Sequence, residues 1–424
     1  MSHKATEALA FPPVDHLLLL VGSNPLPDAV AARLLAHRTS TTISLIGSRS
    51  LDEVTERLRR WLEGDGFQQV EKAAPVDEAD AGSIASAVWE ELQRVDALQV
   101  GLNYTGGTKV MAVHAYRAVL EAWRQTGTPR GRAEPVFTYL DAHSLSMVSD
   151  PRDPKSGAPS ARKCVALATS LQFEHDLLAL HGWQFKCTPG TAALLPTSAA
   201  ELADIYCRKN GANWRTWVDQ KLTPSTRRAG SLCPWPSDPT LQGLANTLQE
   251  ELDLTGSNGF ALTGADALSA VASAGSGKPP TTLYEWLHSK WLESWALKAL
   301  QDNRNSSDLH DLLMNVKAQL VKDPHTYFEL DVVAMRGYRL FAFSCSTSTG
   351  KGDLKLKLFE AYLRARQIGG DEARVALVCC SDNPDKVRQE AERDLHVQGE
   401  PIRVFGRDHL KNLAYHIGKW IPYA

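Results

Sequence analysis

Two rhythms of apolar and polar residues run along the chain. In the first third, short apolar runs alternate with stretches in which apolar residues recur every three to four positions. The runs His16–Val21, Thr42–Gly47, Phe67–Glu71, Leu98–Leu102 and Pro135–Leu140 have the length and composition of strands. Between them a helical period appears at Asp28–His37, Leu51–Leu62, Ile84–Val95 and Lys109–Arg124. In the second of these, Leu51, Val54, Leu58, Trp61 and Leu62 fall on one face. This alternation predicts a parallel sheet with helices on both faces. His16–Val21 is almost wholly apolar, as a strand covered on both sides should be. Phe67–Glu71 is more polar and is expected at an edge.

The rhythm breaks at Asp150–Arg162, a tract of Pro, Gly, Ser and charge that reads as a linker. Over 165–280 only Thr169–Leu180 and Ala199–Lys209 carry a helical period, and Cys187–Pro196, Thr223–Asp238 and Gly264–Thr282 read as loops. The last third has a different order. A tryptophan-rich helix at Leu283–Asp302 precedes a strand at Thr326–Met335, a turn at Arg336-Gly337 and a second strand at Tyr338–Ser344, which together predict a hairpin. Helix Leu354–Ile368, buried strand Arg374–Cys380, helix Pro384–Leu395, strand Ile402–Gly406 and helix His409–Trp420 follow. The expected division is a sheet domain over 1–150, a connector with a possible small helical subdomain over 151–280, and a second sheet domain over 281–424.

Composition adds limits. A length of 424 residues accommodates two to three domains, and 43% hydrophobic with 22% charged residues is an ordinary globular mixture. With 46 Lys+Arg against 49 Asp+Glu the net charge is -3, which argues against indiscriminate nucleic-acid binding but not against a local basic groove. The apolar run at His16–Val21 is far too short to span a bilayer and lacks the flanks of a signal peptide. Seven scattered cysteines without a CxxC suggest reduced thiols, and a cytoplasmic location is expected.

The sharpest local feature is Gly101-Leu-Asn-Tyr-Thr-Gly-Gly-Thr-Lys109, between the strand Leu98–Leu102 and a helix opening at Thr108. Ligands of open parallel sheets sit beyond the carboxyl ends of strands, and a helix N-terminus there presents free N–H groups to an anion. Asn103, Thr105, Thr108 and Lys109 add side-chain donors. Neither the Walker A loop nor GxGxxG fits. The loops Gly22-Ser-Asn-Pro25 and Gly47-Ser-Arg-Ser50 leave the same sheet edge. The run NYTGGTKVMAVHAY resembles the CARF domain, the Rossmann-like sensor of type III CRISPR systems that binds cyclic oligoadenylates across a dimer axis. The resemblance implies a homodimer. It also implies a ligand pocket lined by Asn103, Tyr104, Thr105, Gly106, Gly107, Thr108 and Lys109, with Ser23, Asn24, Gly47 and Ser48 contacting the ring.

In the last third, Glu329 and Asp331 stand two apart on one strand and so share a face. Asp331 lies among apolar neighbours, where an acid is costly to bury without a partner or a metal. Glu293 sits on the tryptophan-rich helix within Trp291-Leu-Glu-Ser-Trp295. The pieces KWLESW, FELDVV and LFAFSCSTSTG, with a helix ending in Gly369-Gly370, resemble the PD-(D/E)xK restriction-endonuclease-like half of CARF-fused nucleases. The resemblance implies that Glu293 and Asp331 bind a divalent metal, Mn²⁺ or Mg²⁺, with Glu329 and Ser344 at the catalytic site. The chain departs from that pattern at Ser346, where a lysine is expected. Lys351 or Lys355 could reach back from a shifted position, and Lys351 is the first candidate. Lys357, Arg364 and Lys351 could track a phosphate backbone. The implied whole is a two-domain α/β nuclease of type III CRISPR defence, switched on by a cyclic oligoadenylate such as the tetraadenylate and cleaving DNA, RNA or both, with no membrane partner. The rival reading is a non-catalytic sensor whose degenerate nuclease domain binds nucleic acid or protein.

Overall fold

The computed structural model describes residues 14–127, 133–141, 144–150, 162–164, 170–222, 232–261, 282–397 and 401–423. The linker residues 151–161 and the loop-like tract 264–281 lie outside them. The chain divides into two compact units, Met1–Gln184 with Ile368–Glu372, and Phe185–Gln367 with Ala373–Ala424.

The first unit carries the expected alternation. In chain order it runs β1 (His16–Leu20), α1 (Leu26–Leu35), β2 (Thr42–Ile46), α2 (Asp52–Gly64), β3 (Gln69–Lys72), α3 (Ala81–Arg94), β4 (Val100–Asn103), α4 (Lys109–Ala122), β5 (Val136–Asp141), β6 (Ser146–Ser149) and β7 (Arg162–Cys164). The sheet order is β3-β2-β1-β4-β5-β6-β7, with the first five strands parallel and the last two added antiparallel. The polar strand β3 is at the edge, and β1 is buried at every position. Strands β6 and β7 had no sequence signal strong enough to separate them from the loop that follows β5. The core on one face of the sheet joins Leu18, Leu20, Ile46 and Leu102 to Ile84 and Val88 of α3 and Met111 and Ala115 of α4. The reversal of strand order at β1 and β4 puts their two C-terminal loops side by side, the place where open α/β sheets take ligands.

The second unit begins within β8 (Trp183–Phe185). It continues through α5 (Pro196–Cys207), α6 (Gly211–Lys221), β9 (Leu232–Pro234), α7 (Gln242–Glu251), β10 (Gly259–Ala261) and α8 (Trp291–Asp302). Then come β11 (His310–Leu320), β12 (Tyr327–Arg336), β13 (Arg339–Ser346), α9 (Lys351–Gly369), β14 (Arg374–Cys379), α10 (Pro384–Asp394), β15 (Ile402–Phe405) and α11 (Leu413–Trp420). Strands β9 and β10 form a small ribbon, and the main sheet has the order β15-β14-β13-β12-β11-β8. The predicted hairpin is β12–β13, with Arg336 opposite Arg339. The helices of the segment read as a connector pack into this unit's core. Leu202, Tyr206, Trp214, Trp217 and Leu248 join Trp291, Leu297, Phe341, Phe343 and Trp420 in one cluster. Burying each of these large side chains is worth about 1.5–3 kcal/mol, so α8 is pinned where it stands. Trp286 Nε1 and the Ser294 hydroxyl both donate to the Leu194 carbonyl, at 3.1 and 2.6 Å, which fixes the rotation of the tryptophan-rich stretch.

Candidate functional site

The glycine loop of the first unit is built by close backbone packing. A Cβ on Gly106 would stand 2.0 Å from the Leu20 carbonyl oxygen, and one on Gly22 3.0 Å from the Gly107 amide nitrogen. Gly107 has φ of +71°, the left-handed region that side-chain-bearing residues avoid. The loop after β4 therefore packs against the end of β1 and the loop after it at a distance that glycines permit. Asn103 is buried. Its Nδ2 donates to Thr138 Oγ1 at 3.1 Å, and its Oδ1 accepts the Thr105 N–H at 3.2 Å. Thr105 Oγ1 accepts the Leu140 N–H at 2.7 Å, and Tyr104 donates its hydroxyl proton to Asp150 at 2.8 Å. Burial and Asp150 together push the Tyr104 phenol far up, so it stays a donor. Thr108 caps α4 by accepting the Met111 N–H at 3.1 Å, and Lys109 is exposed in the first turn.

Of the residues expected to line this pocket, Gly106, Gly107, Thr108 and Lys109 stand at the helix mouth, and Ser23 is exposed beside Gly22. Asn103 and Thr105 spend their polar atoms holding the loop. Asn24 Oδ1 accepts the Leu26 N–H at 3.1 Å and faces His181 Nε2 at 3.2 Å, with that imidazole pushed down to about 4 by burial. Ser48 is buried, and its hydroxyl pairs with Ser50 at 2.9 Å. Gly47 is also buried, where a Cβ would strike Thr55 Oγ1.

In the second unit, strand periodicity puts Glu329 and Asp331 on one face of β12. They open onto a pocket of about 400 Å³ lined also by Tyr327, Phe328, Phe343, Ser344, Lys357 and Glu360. Asp331 Oδ2 accepts the Cys345 N–H at 2.7 Å and the Ser344 hydroxyl at 3.2 Å, so the neighbouring strand orients the carboxylate. Glu293 comes from α8 and is 4% exposed. Its Oε1 meets Lys290 Nζ at 2.8 Å, while its Oε2 is buried with no partner. Burial first, then Asp331, raises Glu293 to about 8, against the pull of Lys290 and Lys357. Lys290 is held above its ordinary value because Glu293, followed by Asp331 and Glu329, outweighs the cost of burying it. It also donates to Asn315 Oδ1 at 3.0 Å. Glu329 is half-exposed and pairs across the sheet with Lys317 at 2.9 Å.

The lysine candidates sort differently from expectation. Lys351 pairs with Glu390 of α10, and Lys355 pairs with Asp394 and Glu390 of the same helix. Neither is brought to Asp331. Lys357, two residues further along α9, turns instead into the Asp331 pocket and donates to the Cys345 carbonyl at 3.3 Å. Ser346 is buried, with its hydroxyl accepting the Ser348 N–H at 3.3 Å. Two ammonium groups that the sequence did not single out for this place, Lys290 and Lys357, thus flank the acid pair. The signal for Lys290 was its position one helical turn before Glu293. For Lys357 and Glu360 it was their i, i+3 spacing on α9.

Among the described residues, no group of three or more His, Cys, Asp or Glu side chains is placed to hold a metal ion. Mg²⁺, however, is commonly held by one or two carboxylates plus water and substrate phosphate. The unpartnered Glu293 Oε2, beside an oriented Asp331, fits that lower demand. No helix of the described residues is long and apolar enough to cross a membrane.

No protein-family model matches the sequence, and no curated protein does. The structure matches that of protein VC1899 from Vibrio cholerae with a TM-score of 0.68 at 18% identity, covering 96% of this chain and 98% of that one. It matches Can2 from Sulfobacillus thermosulfidooxidans, solved in complex with cyclic tetra-adenylate, with a TM-score of 0.66 at 16% identity, covering 96% and 99% of the two chains. These are likenesses of fold along nearly the whole length of each chain, and they agree with the expected two-domain α/β architecture.

Proposed function

We propose that this chain is a cyclic oligoadenylate-activated, metal-dependent nuclease of type III CRISPR defence, working in the cytoplasm as a homodimer on DNA, RNA or both. The observation that carries the reading is the pocket lined by Glu329, Asp331, Ser344 and Lys357, with the buried Glu293–Lys290 pair close enough for Glu293 to feel the charges of Asp331 and Lys357. Sensing is supported by the glycine-loop geometry and by the shared fold of Can2, whose structure holds cyclic tetra-adenylate.

In the first unit, the amides around Gly106, Gly107 and Thr108 and the Lys109 ammonium would receive ligand phosphates. The exposed Val110 and Val113 of α4 lie beside that mouth and offer a surface to a second copy. In the second unit, Asp331 and Glu293 would hold Mg²⁺ or Mn²⁺. A bound divalent cation polarises a phosphoryl oxygen and makes water a better nucleophile. Lys357 would meet the charge that develops on the phosphate, the part expected of a lysine at the position Ser346 occupies. Lys290, 2.8 Å from the buried Glu293, would favour its ionised form against the burial that raises its pKa, and the remaining proton would be lost on binding a cation. Ligand in the first unit acts by shifting the population toward the cleaving state.

Cleavage and ligand affinity measured side by side in the wild type and Asp331→Ala test this. Loss of cleavage with unchanged affinity is the expected result. Ligand binding without metal-dependent cleavage in the wild type would favour the non-catalytic sensor.

A further inference from the structure

Beneath the two glycine loops lies an acid that the reading above does not use. Asp28, in the first turn of α1, is fully buried, and neither carboxyl oxygen has a hydrogen-bond partner. A Cβ on Gly106 would stand 3.1 Å from Asp28 Oδ2 and 3.1 Å from the Gly22 amide nitrogen. The carboxyl therefore looks onto the point where the loops after β1 and β4 cross. Burial lifts its protonation far above the usual carboxylate range, and the nearby Gly22 N–H pulls the other way. Among the described residues, no charged side chain compensates it. The titratable groups on or against the two loops are engaged elsewhere or face outward: Tyr104 is bonded to Asp150, His181 Nε2 faces Asn24 Oδ1, and Lys109 is exposed.

We propose that Asp28 is the positioning residue of the anion loops: as a neutral carboxylic acid it sets the Gly22–Gly106 crossing and leaves the Gly22 amide available to an anion, and as a carboxylate it takes that amide and repels the anion. The proposal rests on the reading of these loops as the site of an anionic ligand. A neutral acid and an amide share size and shape, so Asp28→Asn retains the bound geometry without the titration. Asp28→Ala leaves a void under the crossing.

The test is calorimetric binding of cyclic tetra-adenylate to the full chain between about pH 5 and 9, for the wild type, Asp28→Asn and Asp28→Ala. The phosphodiesters stay anionic throughout, and Lys109 and His181 are common to all three. Wild-type affinity is expected to fall toward alkaline pH, by at most about tenfold per pH unit for one coupled proton. Asp28→Asn holds the low-pH affinity across the range, and Asp28→Ala binds weakly at every pH. The same pH profile in wild type and Asp28→Asn overturns the proposal. Thermal unfolding without ligand supplies a separate check. Because the folded-state value is raised, the wild type should lose stability relative to Asp28→Asn as pH rises above about 4, where the unfolded aspartate ionises. Parallel stability curves overturn the proposal even if cyclic tetra-adenylate binds, and divergent curves with no binding overturn only the ligand reading.

Discussion

Single residues carry most of the chemistry, and their neighbours decide how visible they were. Asp331 was legible because an acid between Leu330 and Val332 is expensive, and the structure gives it the Cys345 N–H and the Ser344 hydroxyl as partners. Lys357 was not singled out for the site, because a lysine on a charged helix reads as solvated surface until the helix is docked. Its neighbours make the contrast testable. Lys357→Met should lower kcat by about 10²–10³-fold, the usual cost of losing one donor to a developing oxyanion. Lys351→Met, which loses only a surface pair with Glu390, should stay near wild type; steady-state cleavage assays read both. Equal loss in the two variants would remove Lys357 from the site. Gly106→Ala forces a methyl against the Leu20 carbonyl and should cost about 1–3 kcal/mol, measured by urea unfolding, together with loss of cyclic tetra-adenylate binding.

Among the elements, those with strict periodicity were legible and those with irregular backbones were not. Strand β12 alternates over its first half, and the apolar runs on either side of Arg336-Gly337 mark the hairpin to β13, which is buried throughout. Strand β11, eleven residues long, gave no such signal. Its pairing with β12 shifts register between His310 and Leu313, and Asp311 and Asn315 have positive φ, so its alternation slips. Helices α6 and α7 were missed because their apolar faces are short and serve a shared core. The opening of α4 shows the opposite case, since Thr108 three residues before Met111 is a readable cap. Thr108→Ala should cost about 1 kcal/mol of stability in urea unfolding. It should also weaken ligand binding, since the cap sets the direction of the amides at the helix mouth.

At the scale of the whole molecule, the two sheets were readable because each has its own order of elements. The connector was not, because its helices contribute to a core whose other half lies about a hundred residues further along the chain. The net charge of -3 agrees with a site in which acids and lysines are balanced locally rather than with a broadly basic surface. A ligand that binds only the folded first unit must also stabilise it. Cyclic tetra-adenylate at a hundredfold over its Kd should add about 2.7 kcal/mol, visible as a raised Tm in calorimetry. An unchanged Tm at that excess would contradict the sensing role.

On the proposed function, occupation of the glycine loops releases phosphodiester cleavage at Asp331. The most direct measurement follows cleavage of labelled single- and double-stranded DNA and RNA by the full chain in Mg²⁺ or Mn²⁺, with and without cyclic tetra-adenylate. Cleavage of at least one substrate that needs both ligand and metal, and that disappears in Asp331→Ala, is the predicted result. Cleavage independent of ligand, or none under either metal with the ligand bound, would contradict it.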